Sequence, residues 1–141
     1  MILIIIFSML FLHIIADFIV QNEFMAKFKQ KSKWKDACLD EFIKYEKASK
    51  MHNKYKHDYI PVLFVHAFSW AFITYLPLLY YVFYSKILMP ETWCIFVLIQ
   101  TFVHMYIDDK KCNKFEINLI VDQLLHFLQI LSGELLIWMV N

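Results

Sequence analysis

The chain has no arginine; all 14 of its basic residues are lysines. It therefore lacks the planar, bidentate group that most often clamps carboxylates and phosphates. A single glycine excludes the glycine-rich loops that cradle nucleotide phosphates. The three cysteines, Cys38, Cys94 and Cys112, form no CxxC pair. Two fall in segments expected on the reducing side of a membrane, so free thiols are expected and a catalytic cysteine is not. Charge is also scarce, at 19% of residues against 60% hydrophobic.

What the chain has instead is long apolar runs. Four of them, at 2–21, 59–84, 91–107 and 117–140, approach or exceed the roughly 20 residues that cross a bilayer as a helix. The expected fold is all-α. It is a single integral membrane domain over residues 1–141, a four-helix transmembrane bundle with a basic cytoplasmic insert at 23–58. The first run carries His13 and Asp17 and lacks a basic leader and a small-residue cleavage site. It is expected to stay as a span and not to be removed as a signal peptide.

Ten lysines lie between spans one and two, three (Lys110, Lys111 and Lys114) between spans three and four, and only Lys86 between spans two and three. The positive-inside rule then puts the two basic loops in the cytoplasm and both termini outside, as in a bacterial inner membrane. The expected partner is the bilayer, with anionic lipid at the basic insert. A second copy of the chain is left open, and no nucleic acid is expected. In the insert, Phe24, Phe28, Trp34, Cys38, Phe42 and Tyr45 roughly follow a helical period. They suggest an interfacial helix anchored by Trp34; the alternative is a mobile loop ending in the polar tract 47–57. Pro77 is expected to kink span two.

The chemistry lies in the spans. Each holds one histidine: His13, His66, His104 and His126. Three of these sit four residues from an aspartate, pairing His13 with Asp17, His104 with Asp108, and His126 with Asp122. That spacing puts both side chains on one helix face. Counted inward from the cytoplasmic ends at ~1.5 Å per residue, the histidines, Asp17 and Asp122 all fall ~8–15 Å deep, with Asp108 at the boundary. The spans alternate in direction, so nothing in the sequence order forces this agreement. Ionisable residues in hydrocarbon are costly and mark function. A lone histidine in a span more often bonds a neighbouring helix than a metal, but seven such groups at one level are hard to read as packing. The expected site binds a divalent transition metal, zinc foremost, as one or two ions. Its candidate ligands are His13, Asp17, His66, His104, Asp108, Asp122 and His126. Seven exceed the usual four, so some aspartates are expected to orient histidines. Gln21, Lys111 and Gln123 are candidates to contact substrate or support ligands. Gln100 is expected to hydrogen-bond between helices, and His52 and His57 to lie in solvent.

The series His13-x-x-x-Asp17-Phe18-x-x-Gln21, Met25-Ala26, lone His66, His104-x-x-x-Asp108-x-x-Lys111 and Asp122-Gln123-x-x-His126 resembles a small integral membrane family of bacteria and their phages, a domain of unknown function. The resemblance covers all four spans in order. It implies that these are the family's signature positions, and it implies no activity. The insert at 29–57 is longer than usual for that family. A weaker likeness is to membrane metal-dependent hydrolases, which also carry HxxxD on membrane helices.

Three functions follow as expectations. In the first, a metal ionises water to hydrolyse an amphiphilic substrate, a lipid or polyprenyl phosphate, from the cytoplasmic side, with Asp122 as the catalytic base. In the second, the protein is a non-enzymatic membrane protein or phage- or defence-related effector with a structural metal. Metal transport ranks third, because the outer halves of spans one to three are almost devoid of polar groups.

Overall fold

A computed structural model of the chain describes residues 2–34, 54–85 and 90–140. Most of the segment expected to be interfacial, including Cys38, Phe42 and Tyr45, lies outside the described residues, as do His52 and Lys86. The described part is all-helical, with no strand. Helix α1 (Ile2–Ile15) continues into a π-helical turn (Ala16–Val20), followed by the short α2 (Glu23–Phe28). Next come α3 (Tyr59–Thr74) and α4 (Leu76–Ser85), then α5 (Pro90–Cys112) and α6 (Leu119–Val140).

Two helical stretches, Ile2–Val20 and Leu119–Leu136, are long and apolar enough to cross a membrane. The pair α3–α4 qualifies as a third if its 44° bend is counted within one span. That bend falls at Tyr75, two residues before Pro77, whose missing N–H and ring oppose a continuous helix. Helix α5, expected as a span, is not among the helices apolar enough to cross: Glu91 lies in its first turn, Gln100 and His104 interrupt its apolar stretch, and Asp108, Asp109, Lys110 and Lys111 follow it.

Polarity is inverted relative to a water-soluble bundle. Phe7, Phe11, Ile14 and Phe18 on the first helix are exposed, as are Ile99 and Phe102 on α5 and Leu124 and Leu128 on α6. His13, His66, Gln100, His104, Asp108, Asp122, His126 and Gln129 are buried. An apolar exterior around a polar interior is what hydrocarbon solvent requires. An apolar cluster of Ile5, Met9, Trp70, Tyr75, Leu78, Trp93, Val97 and Ile130 packs beside the polar residues. The one glycine, Gly133 on α6, faces Met9 of α1 and Tyr75. A Cβ at Gly133 would meet Met9 Cε at 3.0 Å and Tyr75 Cε1 at 3.1 Å, so a larger residue there would force these two side chains to give way.

Two local devices set the lysine-bearing end of the bundle. Asn22 caps α2 by accepting from Met25 N (2.8 Å), turning the chain back as soon as the first long helix ends. Asn113, just past α5, accepts from Lys31 N (2.7 Å) and donates to Lys29 O (3.3 Å). These bonds pin the segment after α2 onto the end of α5. Phe24, Phe28 and Trp34 pack together on this segment, with ring centroids 4.8 Å apart in each successive pair.

Candidate metal centre

Four helical elements deliver the site. The π-helical turn carries Asp17, α3 carries His66, α5 carries His104 and Asp108, and α6 carries Asp122 and His126. His66 Nε2 and His104 Nε2 face each other at 3.4 Å. His66 Nε2 lies 3.2 Å from Asp108 Oδ2 and 3.8 Å from Asp17 Oδ1. Asp108 Oδ1 is 3.7 Å from His126 Nε2 and 3.9 Å from His104 Nε2. His126 Nε2 is in turn 3.4 Å from Asp122 Oδ1. Bonds of ~2.0–2.1 Å in tetrahedral geometry set ligand atoms ~3.3–3.4 Å apart, and the closest of these pairs lie near that spacing. Two sets, Asp17–His66–His104 and His104–Asp108–His126, each bring their donor atoms within 4.8 Å of one another. These buried His and Asp clusters could hold a metal ion.

The hydrogen bonds explain why the donor atoms point inward. Gln129 donates to Gln100 O and Oε1 (3.1 and 3.0 Å), which commits its own oxygen to accept. That oxygen lies 3.1 Å from His126 Nδ1. His126 therefore carries a proton on Nδ1 and turns Nε2 toward the cluster, the arrangement that orients a metal-ligating imidazole. Neither His126 Nε2 nor the adjacent Asp122 Oδ1 has a hydrogen-bond partner among the described residues, although both are buried. Unsatisfied buried polar atoms are expensive; a cation at His126 Nε2 would satisfy the first, and a proton at Asp122 Oδ1 the second. Trp70 supports the imidazoles by stacking, its centroid 4.2 Å from that of His104.

His13 is placed differently. Trp70 Nε1 donates to its Nδ1 (2.8 Å), and its Nε2 lies 3.2 Å from Gln123 Oε1. Both ring nitrogens are thus engaged. Gln123 Nε2 donates onward to Asp122 Oδ2 (3.1 Å). Trp70, His13 and Gln123 form a chain of donors aimed at that carboxylate. The π-helical turn accounts for Asp17: a widened turn re-aims a side chain, and here Asp17 approaches His66 while staying 3.9 Å from His13.

Lys29 is a member of the site that the spacing of residues in the sequence does not signal. Its Nζ lies 2.7 Å from Asp108 Oδ2, and the side chain is buried. Residues 79 positions apart share no periodicity, and a lysine just outside a span ordinarily snorkels to water. The only available signal was its place within a basic run. Lys111 also turns inward, donating to Asp122 Oδ2. Burial opposes its charge, but the hydrogen bond and the pull of Asp122 and Asp108 outweigh it and hold the amine above the usual lysine range. With its amide oriented to satisfy both ends, Gln21 donates to Asp17 O and accepts from Lys29 Nζ, each at 3.1 Å. Asp17, Gln21, Lys29, Asp108, Lys111 and Gln123 line a cavity of about 70 Å³ at the mouth of the cluster.

Gln100 bridges helices, donating to Ser132 Oγ (2.8 Å), and His57 is exposed. Burial pushes the Cys112 thiol up, which keeps it protonated and unreactive. No protein-family model, no curated protein and no solved structure matches this chain. Its function is therefore read from the site's own geometry.

Proposed function

We propose that this is a membrane-embedded metal protein that hydrolyses an amphiphilic phosphate from the cytoplasmic side. The observation that carries the metal reading is the convergence of three imidazole Nε2 atoms on the Asp108 carboxylate in a buried site. His104, Asp108 and His126 form one ligand set and Asp17, His66 and His104 a second that shares His104, and zinc is the metal that best suits this mixed chemistry. His13, held at both nitrogens, supports Asp122 through Gln123.

Bound there, the metal would supply a Lewis acid and a water ionised near neutral pH. Asp122 is the base. Its Oδ2 is held by Lys111 and Gln123, which leaves Oδ1 open on the His126 side to take a proton. The small mouth restricts bulk water, and the apolar helix faces admit the hydrocarbon tail of a substrate from the side.

In the same reading α5 is the fourth span, with its charged last turns projecting into the cytoplasmic interface. The exposed Ile95, Leu98, Ile99, Phe102 and Val103 support a lipid-facing surface there. The lysine distribution supplies the orientation. In a cysteine-free background, Lys35→Cys and Lys86→Cys should react with an impermeant thiol reagent from opposite sides of the membrane. Labelling from one side only would overturn the topology.

The metal reading is tested by elemental analysis of protein purified in detergent without chelator. Wild type should carry one or two equivalents of transition metal per chain, according to whether one or both of the ligand sets fill. His104→Ala and His126→Ala should each drop well below that, and His57→Ala should not change it. Wild-type protein free of metal would refute the proposal.

A further inference from the structure

We infer that the cavity at the mouth of the cluster is a binding site for a singly charged phosphate, the phosphodiester of a lipid head group, and that it forms fully only when the metal is bound. The inference rests on the metal reading above and adds a substrate class to it.

The first observation is the direction of the two lysines. Lys29 and Lys111 reach into the cavity from different segments, and each already pairs with a carboxylate, Asp108 and Asp122 respectively. Burying Lys29 is costly, and the partly exposed Lys111 joins it at one small opening, so the two ammoniums there suit negative charge. The amides of Gln21 and Gln123 line the same opening and offer neutral donors beside the two cations.

The second observation is the charge count. Three carboxylates (Asp17, Asp108 and Asp122) meet two ammoniums (Lys29 and Lys111) in and around the cavity. With the imidazoles neutral, as metal ligands are, these side chains sum to a single negative charge. A divalent cation reverses this to a single positive charge. One monoanion then brings the buried site to neutrality, which a low-dielectric environment favours. A phosphodiester carries one negative charge, whereas a phosphomonoester dianion overshoots. Without arginine the site has no bidentate fork, and two point charges with two amides suit an anion held loosely enough to turn over. The cavity of about 70 Å³ fits a phosphate group and excludes the rest of a lipid, which would lie along the apolar helix surface.

Metal and phosphodiester must then reinforce each other's binding, because linkage is reciprocal. The test uses the full chain in detergent, with zinc titrations followed by calorimetry and by Trp70 fluorescence, since that indole stacks on His104. Titrations are made alone, with dimethyl phosphate, with a short-chain phosphatidylglycerol, and with an uncharged diacylglycerol. The lipid diester should tighten zinc binding about tenfold or more, within the usual range of coupling between sites, and diacylglycerol should not. Lys111→Gln should still bind zinc but lose most of the tightening, and Lys29→Gln should do the same if it folds. Zinc binding unaffected by either diester would overturn the anion site and leave the metal reading standing. Tightening by dimethyl phosphate alone would assign the site to a free phosphate and overturn the lipid source. Absence of zinc binding would defeat the metal reading, and the anion site with it.

Discussion

Asp108→Asn should strip the metal and lower the stability of the folded protein by about 3–5 kcal/mol, the usual cost of leaving one partner of a buried ion pair alone. Asp108 is the junction of the site. One oxygen takes Lys29 at 2.7 Å and His66 at 3.2 Å, and the other faces His126 at 3.7 Å and His104 at 3.9 Å. The Asp108 and Lys29 side chains are 3% and 9% exposed, so solvent screens little of their attraction. Asparagine keeps the shape and removes the charge. Thermal unfolding in detergent measures the loss, and the double variant Lys29→Met/Asp108→Asn should recover part of it, because the orphaned ammonium is gone. A single variant that melts like wild type would mean that Lys29 reaches water and that the pair is not buried. Metal content separates the two roles: the double variant should regain stability but not metal.

Asp122→Asn should behave in the opposite way, keeping fold and metal while abolishing turnover. General-base catalysis typically contributes about 10²–10⁴-fold, and a loss of that size in hydrolysis of a lipid phosphodiester is the expected result. The substituted amide could still accept from Lys111 and Gln123 through its oxygen but could not take a proton. Loss of metal in this variant would make Asp122 a ligand and move the base elsewhere. Wild-type protein inert toward a broad panel of lipid and polyprenyl phosphates would favour the structural-metal reading, in which the same cluster ties the helices together without chemistry.

Much of the site is legible in the sequence because helices translate spacing into geometry. His104 with Asp108 and Asp122 with His126 are four residues apart, and a regular helix puts such pairs on one face. Depth along each apolar run placed His66 at the same level. The same ruler treated the end of the first span as regular, where the chain forms a π-helical turn. Period alone therefore gave His13 and Asp17 equal standing as ligands. In the folded chain Asp17 reaches His66, while His13 is engaged by Trp70 and Gln123. The run 91–107 reads as a span from its apolar stretch; the helix that forms, Pro90–Cys112, is longer and more charged.

The sequence by itself determined the helical class, the apolar exterior, and the level at which histidines and aspartates meet. These follow from hydropathy and from the ~1.5 Å rise of the helix, both local properties. Tertiary structure alone decided which atoms face the centre. The tautomer of His126 depends on Gln129, and the orientation of Gln129 depends on Gln100 of another helix. Lys29 enters because Asn22 turns the chain and Asn113 pins it to α5. Hydrogen-bond direction and ion pairing between segments distant in sequence have no period, so they exist only once the helices are packed.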